Sequence, residues 1–160
     1  MPSISDAYQW AIDKCEEANI GYSQQYRNQQ TVDGITFYDC SSFVWYALKA
    51  GGFDVVSAYG SQYPFVTANM EATLLALGFT RYDAISSPWS NGDIMWKTGH
   101  CEIVYDATRY YTWGAHDADR PLVDQVSIAY VDNRNFYTCG YHYTETTIDL
   151  LVISAILGNW

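Results

Sequence analysis

The hydrophobic period of this chain changes once, near Gly92, and that change limits the folds open to it. Before it, apolar residues recur at helical spacing; after it, they alternate as in strands. Ser5 is read as the cap of a helix over 6–18, with Ala7, Tyr8, Trp10, Ala11 and Cys15 on its buried stripe. The polar stretch 19–37 has no period and reads as a long surface loop. A second helix opens at or just before Cys40, where Cys40, Phe43, Val44, Ala47 and Leu48 share a face, and Gly51-Gly52 ends it. A third is expected over 68–77, with Thr67 as its cap, Glu71 near the capping-box position and Gly78 as its stop. After a turn at 88–91, strands are expected at 94–96, 102–106, 110–115, 126–129 and 136–143. Helices followed by an antiparallel meander make an α+β plan.

With 160 residues, nearly half of them apolar, the chain can bury a core of its own. Residues 1–147 read as one domain, and 148–160 as an apolar tail that suits a last strand, a short helix or an oligomer contact. The formal charge of -10 excludes nucleic acid and anionic membrane surfaces as partners. No apolar run is long enough to span a membrane. The opening MPSISDAYQW lacks the pattern of a signal peptide, so synthesis in the cytoplasm without one is expected. Fifteen tyrosines and six tryptophans suit either a groove for sugar or peptide or strands with a wet aromatic face.

The four cysteines, Cys15, Cys40, Cys101 and Cys139, show no CxxC spacing, which offers neither a structural zinc site nor a disulfide framework. Cys15, Cys101 and Cys139 read as core residues. Cys40 is different, because it sits at the first turn of a helix. The helix dipole and the unpaired N–H groups there favour a thiolate and can hold an oxyanion. "GDIMWKTGHCEIVYD" puts His100 at the start of a strand, where an imidazole can face a helix N-terminus and take the thiol proton. A third group should orient that ring. The candidates are His116, whose ring nitrogen can accept from the first imidazole, then Thr112, and Glu102 on the strand face of His100. His142, among tyrosines on a late strand, reads as structural. A zinc site of Cys40, His100 and His116 is the competing reading of the same residues.

"YDCSS", "GDI.W" and "GH" opening a strand resemble the NlpC-type papain-like cell-wall hydrolases, and within them the cysteine amidase branch of phage endolysins. The resemblance extends over "GYSQQYRN", "LLALGF", "PW" and "GHCEIVYD", from about Asp6 to Tyr143. It implies a papain-like α+β fold, with N-terminal helices packed on a C-terminal antiparallel sheet. It implies Cys40 as nucleophile and His100 as general base. Asp39 and Ser41 would hold groups of the stem peptide, and Tyr22 would lie near the oxyanion. The family's third residue commonly falls twelve positions after the histidine, on Thr112 here, a poor orienter; a longer hairpin would give the role to His116. The implied reaction is amide hydrolysis in the peptidoglycan of Gram-positive bacteria, with no metal or organic cofactor. The amidase branch points to the N-acetylmuramoyl-L-alanine bond; a bond in the stem peptide or cross-bridge is the alternative. A non-catalytic wall-binding or phage structural module is a further alternative. Such an enzyme would be made in the bacterial host cytoplasm and act on the wall after release. An acidic domain is repelled by an anionic wall, which calls for a separate wall-binding module or a homo-oligomer formed through the tail.

Overall fold

The computed structural model describes residues 1–131 and 134–145. The expectation for the tail at 148–160 lies outside the described residues. The first helix, α1 (Ile4–Glu16), starts one residue after Ser3, whose hydroxyl accepts from the Asp6 N–H; Ser3, not Ser5, is the cap. The segment read as a loop contains three short strands, β1 (Ile20–Tyr22), β2 (Thr31–Val32) and β3 (Ile35–Tyr38). They form a small sheet in the order β1-β3-β2, with β1 and β3 parallel. Helix α2 (Cys40–Ala50) follows directly and is buried along most of its length. Two shorter helices come next, α3 (Val55–Tyr59) and α4 (Met70–Ala76). The cap position of α4 is Asn69, without a side-chain cap bond, so Thr67 does not play that part. Glu71 pairs instead with Arg81 at 2.7 Å.

The second half forms an antiparallel sheet from β4 (Thr80–Asp83), β5 (Ile94–Lys97), β6 (His100–Asp106), β7 (Tyr111–Ala115), β8 (Val126–Tyr130) and β9 (Cys139–His142). A short helix, α5 (Leu122–Gln125), leads into β8. The strand order is β4-β9-β5-β6-β7-β8. Strands β5 to β8 make the expected meander. The last strand leaves it and inserts between β4 and β5, and β4 was not foreseen. The protein is thus α+β, as the change of period implies.

The larger apolar core lies between α1, α2 and one face of the sheet, and takes in Cys40, Phe43, Trp45, Cys101, Ile103 and Trp113. Alternation along β6 sends Cys101 and Ile103 into it. Glu102 and Val104 face the other way, where Val104 packs with Trp89, Met95, Val131 and Tyr137 in a second cluster. No helix among the described residues is long and apolar enough to cross a membrane.

Candidate active site

Asp39 caps α2 through a complete capping box. Its carboxylate accepts from the Ser42 N–H at 2.7 Å, and the Ser42 hydroxyl accepts from the Asp39 N–H at 2.9 Å. Arg27 reaches from the β1–β2 connection to clamp the same turn. Its Nε donates to Asp39 at 2.6 Å, and its other nitrogens to the Ser41 hydroxyl and to the carbonyls of Pro64 and Phe65. Asp39 and Ser41 are 7% and 2% exposed, with their polar atoms committed inside the fold. They sit under the first turn of α2 and fix it.

Cys40 is the residue this clamp presents. It is 7% exposed, and its Sγ lies 3.9 Å from the Gly99 carbonyl. Gly99 has φ of 79°, which lets the chain turn tightly from β5 into β6 and start the strand with His100. Hydrogen bonding from Cys101 pulls the Cys40 thiol down to about 5; burial opposes this, and hydrogen bonding and charge attraction from His100 add to it. Burial pushes the His100 imidazole down, but hydrogen bonds to Cys40 and Glu102 and the charges of both carry it up to about 10. At neutral pH the two therefore stand as thiolate and imidazolium.

Behind His100, on the same strand face, lies Glu102. Its Oε1 is 3.4 Å from His100 Nε2 and 2.6 Å from His116 Nδ1. Its Oε2 accepts from the Tyr137 hydroxyl at 2.8 Å and from the Thr112 hydroxyl. Oε1 has no well-aligned hydrogen bond; its neighbours are the two imidazole nitrogens. Burial pushes the Glu102 carboxyl up, yet the close approach of the His100 and His116 rings and their charge hold it well below the usual carboxylate range. The ring centroids of His100 and His116 are 6.4 Å apart, so the carboxylate, rather than His116, is the group next to His100. Thr112 supports that carboxylate.

Glu102 fits only because Gly114 lies opposite it on β7. A Cβ there would come within 2.6 Å of Glu102 Cγ and Oε1. Gly114, Tyr137 and Arg27 carry the site but were given no role from the sequence. Glycine in the interior of a strand was the available signal for the first.

Tyr22 is close enough to Cys40 and Asp39 to feel their charge; burial first, then those charges, push its phenol up. His142 stands apart, with Nδ1 2.7 Å from buried Asp93, which also accepts from Tyr82. A cavity of about 240 Å3 opens beside the site, lined by His100, Glu102, His116, Arg120, Tyr130 and Phe136 among others. A larger cavity, about 540 Å3, lies beside Cys15 and Val123.

The sequence profile of the endolysin-like domain matches residues 4–111, more than half of the chain. The chain belongs to the endolysin-like domain family. The match takes in Cys40, His100 and Glu102, and ends at Tyr111, just short of Thr112 and His116. In this endolysin-like domain the Cys40 thiol, the His100 imidazole and the adjacent Glu102 carboxylate thus fall inside the family region, while Thr112 on β7 and His116 just after it fall outside. No curated protein matches the chain.

Proposed function

We propose that this endolysin-like domain is a phage-type peptidoglycan hydrolase that cuts an amide bond by a papain-like Cys–His mechanism, most specifically as an N-acetylmuramoyl-L-alanine amidase. The observation that carries the reading is the alignment of Cys40, His100 and Glu102. A thiol drawn down to about 5 lies against an imidazole raised to about 10, and a buried carboxylate lies behind that ring. Family membership supports a lytic role at the cell wall.

In this mechanism the Cys40 thiolate attacks the amide carbonyl carbon. The oxyanion forms at the N-terminus of α2, where the first backbone N–H groups have no partner within the helix. Collapse breaks the C–N bond as His100 passes its proton to the leaving amine, leaving a thioester on Cys40. His100, now neutral, takes a proton from water; the hydroxide attacks the thioester, and Cys40 leaves as thiolate. Glu102 is the orienting group in this reading. It faces Nε2 and leaves the other ring nitrogen for the thiol. His116 and Thr112 act on Glu102, and Asp39 and Ser41 act on the turn that carries Cys40. Tyr22 lies beside the oxyanion. The substrate is the peptidoglycan of Gram-positive bacteria, reached after release from the host cytoplasm; residues 1–147 are the catalytic domain.

Purified Gram-positive peptidoglycan digested with the chain and with Cys40→Ala, and read by mass spectrometry, tests this. Intact stem peptides freed from glycan, absent with the variant, are expected. Shortened stem fragments would make it an endopeptidase. No Cys40-dependent product from several wall types would overturn the enzymatic reading and leave a binding module.

A further inference from the structure

His116 is 4% exposed at its side chain, and both of its ring nitrogens are occupied. Nε2 lies 3.0 Å from the Ser127 carbonyl oxygen. A carbonyl can only accept, so Nε2 carries hydrogen. Nδ1 then faces Glu102 Oε1 at 2.6 Å. In a neutral ring that would set a nitrogen lone pair against a carboxylate oxygen. Something positive has to stand between them, either a second proton or a metal ion.

The surroundings favour a metal as an occupant of that point. Three donor atoms converge there: His100 Nε2, Glu102 Oε1 and His116 Nδ1, all within 4.8 Å of one another. Tetrahedral Zn2+ with bonds of about 2.0–2.1 Å spaces its ligands about 3.3 Å apart. The His100–Glu102 pair is at 3.4 Å; the Glu102–His116 pair, at 2.6 Å, has to open by less than 1 Å, and the His100–His116 pair, within 4.8 Å, has to close as the metal enters. The supporting bonds are in place as well. Ser127 fixes the tautomer of His116, and Thr112 and Tyr137 hold Glu102 Oε2, leaving Oε1 without an aligned donor in a side chain that is 2% exposed. The adjoining cavity of about 240 Å3 leaves room for a water at a fourth position; Arg120 lines it but is exposed.

We infer that His100, Glu102 and His116 form a binding site for a divalent transition-metal ion of the Zn2+ class, and that its occupation switches the Cys40–His100 pair off. Binding displaces the protons at His100 Nε2 and His116 Nδ1 to solvent. His100 then keeps one proton, on Nδ1. Giving it to a leaving amine would leave an imidazolate, so the acid step stops while the thiol stays in place. Cys40 is not a ligand, which separates this site from a thiol-based one. The inhibitory half rests on the hydrolase reading above; the binding half does not.

The test uses the full chain, freed of metal by chelator, and titrated with Co2+ and Zn2+. One equivalent of Co2+ with the visible absorption of a four-coordinate site is expected, unchanged in Cys40→Ala and weakened at least tenfold in His116→Gln. In long-range 1H–15N spectra of the unmutated chain, Zn2+ should move the His100 and His116 ring nitrogens and leave His142 unmoved, which needs no variant to fold. Stoichiometric Zn2+ should also stop peptidoglycan release, and chelator should restore it. Absence of uptake by the unmutated chain, or uptake abolished by Cys40→Ala and kept by His116→Gln, overturns the site. Uptake without inhibition of an active digest overturns the switch alone. If the digest yields no product at all, the hydrolase reading fails while the metal titration still decides the site.

Discussion

Alkylation of Cys40 by iodoacetamide reads the thiolate directly. A fall from the ordinary 9 to about 5 stabilises the ionised form by roughly 5 kcal/mol, at about 1.4 kcal/mol per unit. At pH 6 about nine tenths of Cys40 is then thiolate, against roughly one part in a thousand for an unshifted thiol. The lower basicity reduces intrinsic nucleophilicity by about 60-fold, for a Brønsted slope near 0.45. The product of the two effects is a Cys40 about tenfold faster than a free thiol at pH 6, with a rate that is flat above it. Burial pushes Cys15, Cys101 and Cys139 upward, so they stay silent under these conditions. Mass spectrometry should find one label per chain, lost in Cys40→Ala. The rate should inflect near 5. A rate that still climbs tenfold per pH unit between 6 and 8 would show an ordinary thiol and refute the electrostatic account. The two downward causes can be separated. Replacement of either Cys101 or His100 by Ala should raise the inflection, and the S–H of Cys101 is a weak donor, so the loss of the His100 cation should raise it further.

Glu102→Gln should lower kcat by about 100-fold or more with little change in KM, because an amide cannot stabilise the imidazolium; equal losses in both would argue for a binding role. In Gly114→Ala the new Cβ meets Glu102 Cγ at 2.6 Å, which should destabilise the fold by about 1–3 kcal/mol and lower the melting temperature by about 2–4 °C for each of them. Arg27→Met leaves the carboxylate of Asp39 without its partner beneath α2. Chemical denaturation should register a loss of about 3–5 kcal/mol, and a value under 1 kcal/mol would mean that the clamp is dispensable.

The elements that announce themselves in the sequence are those whose period is long enough to read. Helices α1 and α2 carry three turns or more, and β5 to β8 alternate between glycine and aspartate turns. Strands β1 to β3 are two to four residues long, polar and closely spaced; their pairing with one another, not their composition, makes them strands. Helix α3 is too short to show a face. Cys40 and His100 were legible because each stands at the first residue of its element, next to a capping aspartate and a turn glycine. For the group beside His100 the sequence alone offers three candidates, Glu102 among them, and puts His116 first. Counting along β7 depends on the β6–β7 register, and a bulge between Val104 and Asp106 shifts it. Glu102 and His116 both face the site, and only the paired strands reveal which of them lies nearer the ring.

Strand β9 follows every other described strand in the chain, yet it lies between β4 and β5, two of the earliest in the sheet. The segment leading into it carries Tyr137, which donates to Glu102. Glu102 therefore gains one of its two hydroxyl donors only when the most distant strand pairings of the sheet close. Such non-local contacts form late and slowly. A ribosome-bound chain that has emerged only as far as β8 would hold Cys40 and His100 but lack the strand that joins β4 to β5. The ordering ties the full set of hydrogen bonds on Glu102 to the completion of the sheet.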